Sequence, residues 1–500
     1  MKKHLIVTVC LLLIVSMFTA VLAGCEKPAP STNPPETQKP SNNKNPIQYN
    51  VAVEDLGEFE LDVLTVKSGQ WSMHTDFAPE VVTGDRISDA VYSRNMRVEN
   101  DFNCIINSHE DADYYQGTEK LSTDQLSGTG YYDAAYVEGS SVVSLITEGL
   151  LHNLYQVPEI QLDQSWWSQL IKEEATLGTN KYSSLYFMQS NLSLTAFDLT
   201  WCVYFNKATH QSHQIEDLYQ LVKDKGWTVE KMQTIAREVA HLNGDDSFIY
   251  SATGKATYGI TTYWNGAKAM LDGCNVQFVT TDSNDELIPN IQNERFMSLA
   301  QQLAQVFGEA GTFTYGGPST DGETVGNASD YIKIFNADRA MFCIAEVKSS
   351  VSDFASFNGD FGILPLPKYN TQQEEYRSWV NYLAPVLVIP KLTQNDALHK
   401  TALLLDALSF YSERDVLPEY YDKVLKGRGA KDPESMEMLD LINATKTFDA
   451  SIAYGWSRQL SEVISKTILA GVTDVSSLIE QYDGMISEKI KETMDSIYQN

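Results

Sequence analysis

The stretch Trp201-Cys-Val-Tyr-Phe-Asn-Lys207 carries the clearest signal for the fold of this 500-residue chain. It begins with five apolar or aromatic residues, a pattern typical of a strand, and ends in polar residues where a helix is predicted to begin. Further short β-prone runs lie at 61–66, 104–106, 131–137, 258–262 and 340–345. Because segments of helical periodicity separate these runs, the sequence predicts an α/β protein with parallel sheet built from βαβ units.

Amphipathic segments lie between the predicted strands and dominate the end of the chain. The segment 228–242 is the clearest, since Thr228 is a suitable N-cap and Glu230 and Lys231 lie in the first turn. Helical periodicity recurs at 86–102, 296–307, 398–411, 434–443 and 458–497. These patterns predict two globular lobes with a helical C-terminal part.

The first 25 residues have the pattern of an export signal. Lys2 and Lys3 precede an apolar run over 5–18, and small residues lead to Leu22-Ala-Gly-Cys25. This ending resembles the lipobox of bacterial lipoproteins, so we expect residues 1–24 to be removed and Cys25 to carry lipid. A retained transmembrane anchor is the alternative, but the apolar run is shorter than the ~20 residues that a span needs. We therefore expect an exported protein, anchored by lipid to the cell membrane and facing the outside or the periplasm.

Residues 25–48 are predicted to be a disordered tether. Prolines at positions 28, 30, 34, 35, 40 and 46 prevent a helix or a paired strand. The segment also has almost no large apolar residue to bury, so it cannot form a core. A tether of this kind would hold a folded body away from the bilayer.

Composition excludes several classes of function. The formal net charge is −29, and loss of the two signal lysines would lower it to −31. Such an acidic surface repels phosphate backbones, so nucleic acid is not an expected partner. The chain is 43% hydrophobic and 11% aromatic, which is typical of a globular protein with a substantial core.

The cysteines indicate neither a metal site nor a dense disulfide framework. Cys10 lies in the signal and Cys25 at the lipid position, and no C-x-x-C pair occurs among the others, which are Cys104, Cys202, Cys274 and Cys343. Export would permit disulfides. Small buried thiols are an equally good interpretation, so no pairing is assigned.

Several segments, taken in order, resemble those of extracellular solute-binding proteins of ABC importers, in the maltose-binding-protein-like sugar-binding group known as family 1. The stretch 201–207 is similar to the family's "aYFNK" strand-to-helix segment, and 217–232 to its "DLYxLVKxGKWTxxKM" stretch. Residues 335–342 and 361–369 resemble its "F..G.aAM" and "GilPlPky" patterns. Residues 417–427 and 432–440 resemble the same subgroup, so that the resemblance extends from about residue 60 to 490.

This resemblance implies a type II periplasmic-binding-protein-like fold, in which hinge strands join two α/β lobes around a cleft. By analogy, lobe one combines 49–165 with 343–410, and lobe two combines 166–342 with 411–500. The resemblance also implies a monomer without a cofactor or metal that closes on a solute and delivers it to the transmembrane subunits of an ABC permease. A carbohydrate or oligosaccharide is the expected solute, and the sequence does not identify it.

Tryptophans near predicted strand ends are the first candidates for ligand contacts, because a sugar site needs flat apolar faces beside planar hydrogen-bonding groups. Trp71 follows the first strand, and Trp264 follows the 258–262 strand. Trp379 precedes a later strand. Trp456 lies where the family pattern brings an aromatic residue near the cleft. For each of them, packing in or over the core is the structural alternative.

Four polar residues are further candidates for hydrogen bonds to solute hydroxyls. Asp198 precedes the strand that begins at Trp201, and Glu346 ends the 340–345 strand. Glu138 and Ser140 follow the 131–137 strand. A helix cap or a solvated surface position is the alternative in each case.

Two other classes of protein were weighed against a binding protein. An exported glycosidase would need two carboxylates at a fixed separation across a cleft, and no local signature selects such a pair. No G-x-S-x-G, H-E-x-x-H or P-loop motif occurs, and His210-Gln-Ser-His213 is better explained as a polar loop than as a metal site. A surface adhesin would favour repeats or β-sandwich texture, whereas this sequence has an α/β pattern.

Overall fold

The computed structural model describes residues 49–50, 52–67, 77–110, 114–178, 183–248, 250–251, 253–283, 286–314, 330–426 and 433–499. All of them belong to the unit Tyr49–Asn500. The predicted signal peptide (1–24), lipid site and tether (25–48) lie outside the described residues, and so does Trp71.

Strands occur throughout the described part of the chain. Their bounds are β1 Phe59–Thr65, β2 Cys104–Glu110, β3 Ala134–Glu138, β4 Trp201–Asn206, β5 Tyr258–Thr262, β6 Val279–Thr281, β7 Leu287–Pro289, β8 Thr312–Thr314, β9 Ala340–Glu346, β10 Phe361–Leu364, β11 Ser378–Trp379, β12 Pro385–Val388 and β13 Lys446–Thr447.

Helices fill most of the intervals and the C-terminal part. Their bounds are α1 Arg86–Phe102, α2 Gly117–Ser127, α3 Val143–Thr147, α4 Gln169–Ala175, α5 Leu194–Asp198, α6 Lys207–Ser212, α7 Leu218–Lys223, α8 Val229–Val239, α9 Gly266–Gly273, α10 Glu294–Phe307, α11 Asp330–Asn336, α12 Asn395–Tyr411, α13 Leu417–Lys426, α14 Pro433–Ala444, α15 Ala450–Ala453, α16 Arg458–Leu469 and α17 Ser476–Gln499.

The first sheet has four strands in the order β12-β3-β1-β2. β1 pairs in parallel with both β2 and β3, and α1 is the crossover between β1 and β2. β12 adds to β3 in the antiparallel direction. Leu61, Val63 and Leu64 of β1 are fully buried. This is the βαβ arrangement that the alternating sequence pattern predicts.

The second sheet has five strands in the order β10-β4-β9-β5-β8. All six residues of β4 are buried, and β4 runs antiparallel to β9 and β10 on its two sides. The strand predicted from Trp201 is therefore confirmed. The helix predicted at 228–242 is also confirmed as α8, and the Thr228 hydroxyl caps it by accepting from the backbone N–H of Lys231 (3.2 Å).

The order of strands shows where the chain passes between the two sheets. It leaves the first sheet after β3, supplies β4, β5, β8, β9 and β10 to the second, and returns to the first with β12, while β6 and β7 pair separately with each other. The second crossover predicted at residue 343 falls inside β9, because β9 pairs with β4 and β5 of the second sheet. We propose that the boundary between the lobes lies after β10 instead.

Two hydrophobic clusters fill the interior of the described residues, and the described cysteines contribute to them. Cys104, Cys202, Cys274 and Cys343 are all buried free thiols. Burial raises the pKa of each of them, so they remain protonated packing groups. In the described part of the chain, every helix is too short or too polar to cross a bilayer.

Candidate functional site

The short segment 381–384 contacts both sheets close to the ends of their strands. β3 ends at Glu138 in the first sheet, and β9 ends at Glu346 in the second. Asn381 reaches the second sheet, because its side-chain Nδ2 donates to Glu346 Oε1 (3.1 Å). The carbonyl of Ala384 reaches the first sheet, where it accepts from the backbone N–H of Gly139 (3.2 Å). Residues that follow β3 and β9 therefore converge on one region.

A carboxylate, a hydroxyl and a guanidinium meet on the side of the first sheet. Glu138 and Ser140 are both buried, and the Ser140 hydroxyl is hydrogen-bonded to the Glu138 carboxylate. Arg458, the first residue of α16, donates from Nη1 to Ser140 Oγ (3.2 Å). Burial raises the pKa of Glu138, while the Ser140 hydrogen bond and the charge of Arg458 oppose that shift. The Arg458 side chain is 46% exposed, and its Nε lies 3.7 Å from a Glu462 carboxylate oxygen.

An aromatic ring lies beside this polar group. The Arg458 guanidinium carbon stands 5.7 Å from the centroid of the Tyr382 ring. Burial, together with the charge of Glu462, raises the pKa of Tyr382 to about 12, so the phenol is neutral and can donate a hydrogen bond. Tyr382 thus combines an apolar face with a polar end.

On the side of the second sheet, a charged pair and an aromatic pair follow two neighbouring parallel strands. Lys348 Nζ lies 3.3 Å from a Glu346 carboxylate oxygen, and both side chains are mostly buried. Tyr263 and Trp264 follow β5, with ring centroids 5.7 Å apart and both side chains partly exposed. The indole N–H of Trp264 is buried and has no hydrogen-bond partner among the described residues. It is therefore a donor that a bound solute or a water molecule could satisfy.

A small crevice of about 40 Å³ opens beside the end of β1. Thr65 and Val66 line one wall, and residues 192–195, which lead into α5, line another. The segment 68–76 follows directly and contains Trp71, whose predicted contact with ligand concerns a residue outside the described part of the chain.

The predicted site residues Glu138, Ser140, Glu346 and Trp264 lie at these facing strand ends, but three others do not. Trp379 is fully buried in β11 and packs on Trp201, with ring centroids 5.9 Å apart. Asp198 is also fully buried, where it accepts a hydrogen bond from the Tyr420 hydroxyl. In this arrangement neither side chain is open to a solute.

Trp456 lines a different cavity. It is 4% exposed, and its indole N–H donates to Thr493 Oγ1 (2.9 Å). The cavity has a volume of about 370 Å³ and is also lined by Glu174 and Arg377, which form an ion pair. Trp456 is therefore a packed residue of this second cavity, although it precedes Arg458 by only two residues in the chain.

Several residues of this region were not predicted from the sequence. They are Arg458, Tyr382, Asn381 and Lys348, and each of them lies within three residues of a predicted candidate. Strand alternation could not have selected Asn381, Lys348 or Arg458, because each lies two residues from a candidate and alternation gives residues two apart the same direction. No group of three or more His, Cys, Asp or Glu side chains suited to a metal ion occurs in the described stretches.

Comparison with known proteins shows that this chain is similar to solved structures in its fold. No family model matches the sequence, and no curated protein matches it either. An ABC substrate-binding protein from Listeria monocytogenes, solved with cycloalternan, aligns at a TM-score of 0.51 and 11% identity over 87% of this chain and 99% of its own.

Two proteins from Bifidobacterium longum align equally well. The galacto-N-biose/lacto-N-biose I-binding protein of an ABC transporter, solved with lacto-N-biose, has a TM-score of 0.53 and 12% identity, covering 87% of this chain and 98% of its own. A family 1 extracellular solute-binding protein from subspecies infantis has a TM-score of 0.52 and 10% identity, covering 86% and 100%. The described chain therefore has the two-lobed α/β fold of extracellular solute-binding proteins.

Proposed function

We propose that this chain is the solute-binding component of an ABC importer and captures a carbohydrate or polyol between its lobes. The observation that carries the proposal is the convergence of Glu138, Ser140 and Arg458 with Trp264 and Glu346 at the facing ends of two sheets. The similar structures from L. monocytogenes and B. longum were solved with a cyclic oligosaccharide and a disaccharide, which supports this class of solute.

The chemistry of the residues suits a polyhydroxylated solute. Carboxylate, guanidinium and amide groups are planar and can each bond two neighbouring hydroxyls, and aromatic faces cover the apolar faces of a sugar ring. Arg458 lies beside both Glu138 and Glu462, and Glu346 pairs with Lys348, so opposite charges occur together on both sides of this region. A neutral solute is therefore favoured over one with a large net charge.

Binding would act by shifting a population of lobe arrangements. A solute that contacts both lobes stabilises the closed form by its differential affinity for that form, and a permease would then recognise it. We propose no catalytic step. Glu138 and Glu346 are each hydrogen-bonded by a protein side chain, and the neighbours in structure are binding proteins.

The anchor and the lobe boundaries belong to the same proposal. Lipid on Cys25 and a tether over 25–48 would keep a monomeric binding body close to its permease, which raises the local concentration of captured solute. Export is consistent with the fold shared with extracellular solute-binding proteins. Removal of the tether should then leave solute affinity unchanged and lower transport.

Isothermal titration calorimetry tests the proposal after a glycan array has selected a solute, with lacto-N-biose and cycloalternan as starting probes. A hydrogen bond to a charged group contributes roughly 1.5–3 kcal/mol to the free energy of binding. Arg458→Ala and Glu138→Gln should therefore each raise the dissociation constant at least tenfold. Arg237→Ala is the matched control, since Arg237 is similarly exposed and pairs with Glu309 away from the site. Unchanged affinity in both site variants, or release of a hydrolysis product, would contradict the proposal.

A further inference from the structure

Helix α1 contacts both halves of the structure. α1 contacts β2 of the first sheet, and Val98 and Phe102 near its end belong to the larger hydrophobic cluster, which includes β1 and β2 and extends to the second sheet. Ile87 and Val91, near its start, belong to the other cluster, together with α13 and one face of the second sheet. One rigid helix is therefore packed on both lobes.

Ion pairs fasten the start of α1 to α13. Arg86 pairs with Glu419 (2.5 Å) and with Asp422, and Lys423 pairs with Asp85 (2.7 Å). Asp85 is also the N-cap of α1, where it accepts from two backbone N–H groups. Exposed pairs are individually weak, so their effect here depends on several acting together.

The chain passes between the lobes next to these contacts, along a helix that is not regular. α12 runs directly into a π-helical segment, Ser412–Val416, which runs directly into α13. Lys400 of α12 lies over the Phe59 ring of β1 (5.5 Å). Tyr420 of α13 instead bonds Asp198, just before β4 of the second sheet. π-Helical turns inside helices often mark sites where a helix deforms.

Arg94 connects α1 to the first residue of that segment. The side chain is 2% exposed, and its Nη1 donates to Ser412 Oγ (2.9 Å). Its Nη2 donates to the carbonyl of Phe77 (2.9 Å), and Asn95 Oδ1 accepts two further bonds. Among the described residues Arg94 has no carboxylate partner, although a buried guanidinium is costly unless its bonds are satisfied. Its bonds are directed instead to the crossover and to the end of the segment that follows β1.

We propose that α1 is an interlobe clamp, formed by Asp85, Arg86 and Arg94 acting on α13 and Ser412, and that Arg94 is a positioning residue for lobe closure. The clamp holds the lobe arrangement of this structure and sets how much of the solute-free protein adopts it. This rests on the proposed function only in that closure is taken to accompany solute capture.

Small-angle X-ray scattering of the solute-free full chain tests the clamp, with each curve fitted as a mixture containing the arrangement described here. Ser412→Ala removes the acceptor for Arg94, whereas Ser412→Thr keeps a hydroxyl. Arg86→Glu reverses one clamp charge. Arg237→Glu is its control, because Arg237 pairs with Glu309 close to the second sheet and has similar exposure (59% against 53%).

Ser412→Ala and Arg86→Glu should each lower the population of this arrangement about threefold or more, and Ser412→Thr and Arg237→Glu should match the wild type. Circular dichroism should show that all four variants are folded. Wild-type scattering from Ser412→Ala, or equal changes in the Ala and Thr variants, would overturn the role of Arg94. Wild-type scattering from Arg86→Glu would overturn the clamp. Because no solute is present, a failed glycan screen leaves this test intact.

Discussion

Asp406 of α12 accepts four hydrogen bonds although it is fully buried. Its Oδ1 accepts from the indole N–H groups of Trp166 (3.0 Å) and Trp167 (2.8 Å) and from the backbone N–H of Gln161 (3.0 Å). Its Oδ2 accepts from the Gln161 side chain (2.8 Å). One carboxylate thus connects the segment 161–167 to α12.

Asp406→Leu keeps the approximate size of the side chain and removes every acceptor. The two indole N–H groups cannot turn to water, because Trp166 and Trp167 are each only 1% exposed. An unsatisfied buried donor costs about 1–3 kcal/mol, so two of them should lower the free energy of unfolding by roughly 2–6 kcal/mol. Asp406→Asn keeps a carbonyl oxygen for the same donors, and its cost should be only about 1–2 kcal/mol.

Urea unfolding followed by tryptophan fluorescence measures these differences. Asp396→Asn is the matched control, since Asp396 lies on the same helix, is 77% exposed and, among the described residues, forms an ion pair only with Lys400 (2.9 Å). Its effect should stay within about 0.5 kcal/mol. If Asp406→Leu cost no more than Asp396→Asn, the four hydrogen bonds would not stabilise the fold as argued.

Three further predictions concern other parts of the structure. Lys268→Met removes the buried cation that pairs with Asp272 and, at 2.9 Å from Nζ, with Asp449. Thermal unfolding should show that the free energy of unfolding falls by about 3–5 kcal/mol, and an unchanged value would contradict the role of these buried ion pairs. Gly139→Ala would place Cβ against the Phe448 ring and 2.9 Å from the carbonyl of Ala384, so calorimetry should show about 1–3 kcal/mol of destabilisation; an unchanged Tm would refute this. Hydrogen bonds to Glu159 and Glu54 raise the pKa of His399. The protonated His399 side chain should therefore stabilise the folded protein fully below about pH 6.5, and this contribution should be lost as pH rises through the raised pKa. Urea midpoints of His399→Gln should then vary less with pH than those of the wild type, and equal slopes would refute the assignment.

Local patterns in the sequence were sufficient to find single elements. The apolar run at 201–205 became β4, and the polar residues after it became α6, with the Asn206 side chain capping the helix at Thr209 N (2.9 Å). Capping and periodicity depend on residues a few positions apart, so they can be read without knowledge of tertiary structure.

Contacts between distant segments were not predictable in this way. The crossover expected at 343 falls within β9 because Trp201 pairs with Glu346, a partnership that no local pattern encodes. Tryptophan type alone also could not separate Trp264, which is partly exposed, from Trp379, whose ring Trp201 covers. Burial of an aromatic side chain is decided by the elements packed on it.

The late arrival of β12 has a consequence for biosynthesis. β1, β2 and β3 leave the ribosome first, yet β3 lacks its outer neighbour until residue 385 has been made, after the whole of the second sheet. The first sheet is therefore completed only after the second sheet, and until then its open edge is a template for pairing with other chains. Chains cut short before Pro385 should aggregate through this edge, whereas completed chains protect it with a strand of their own.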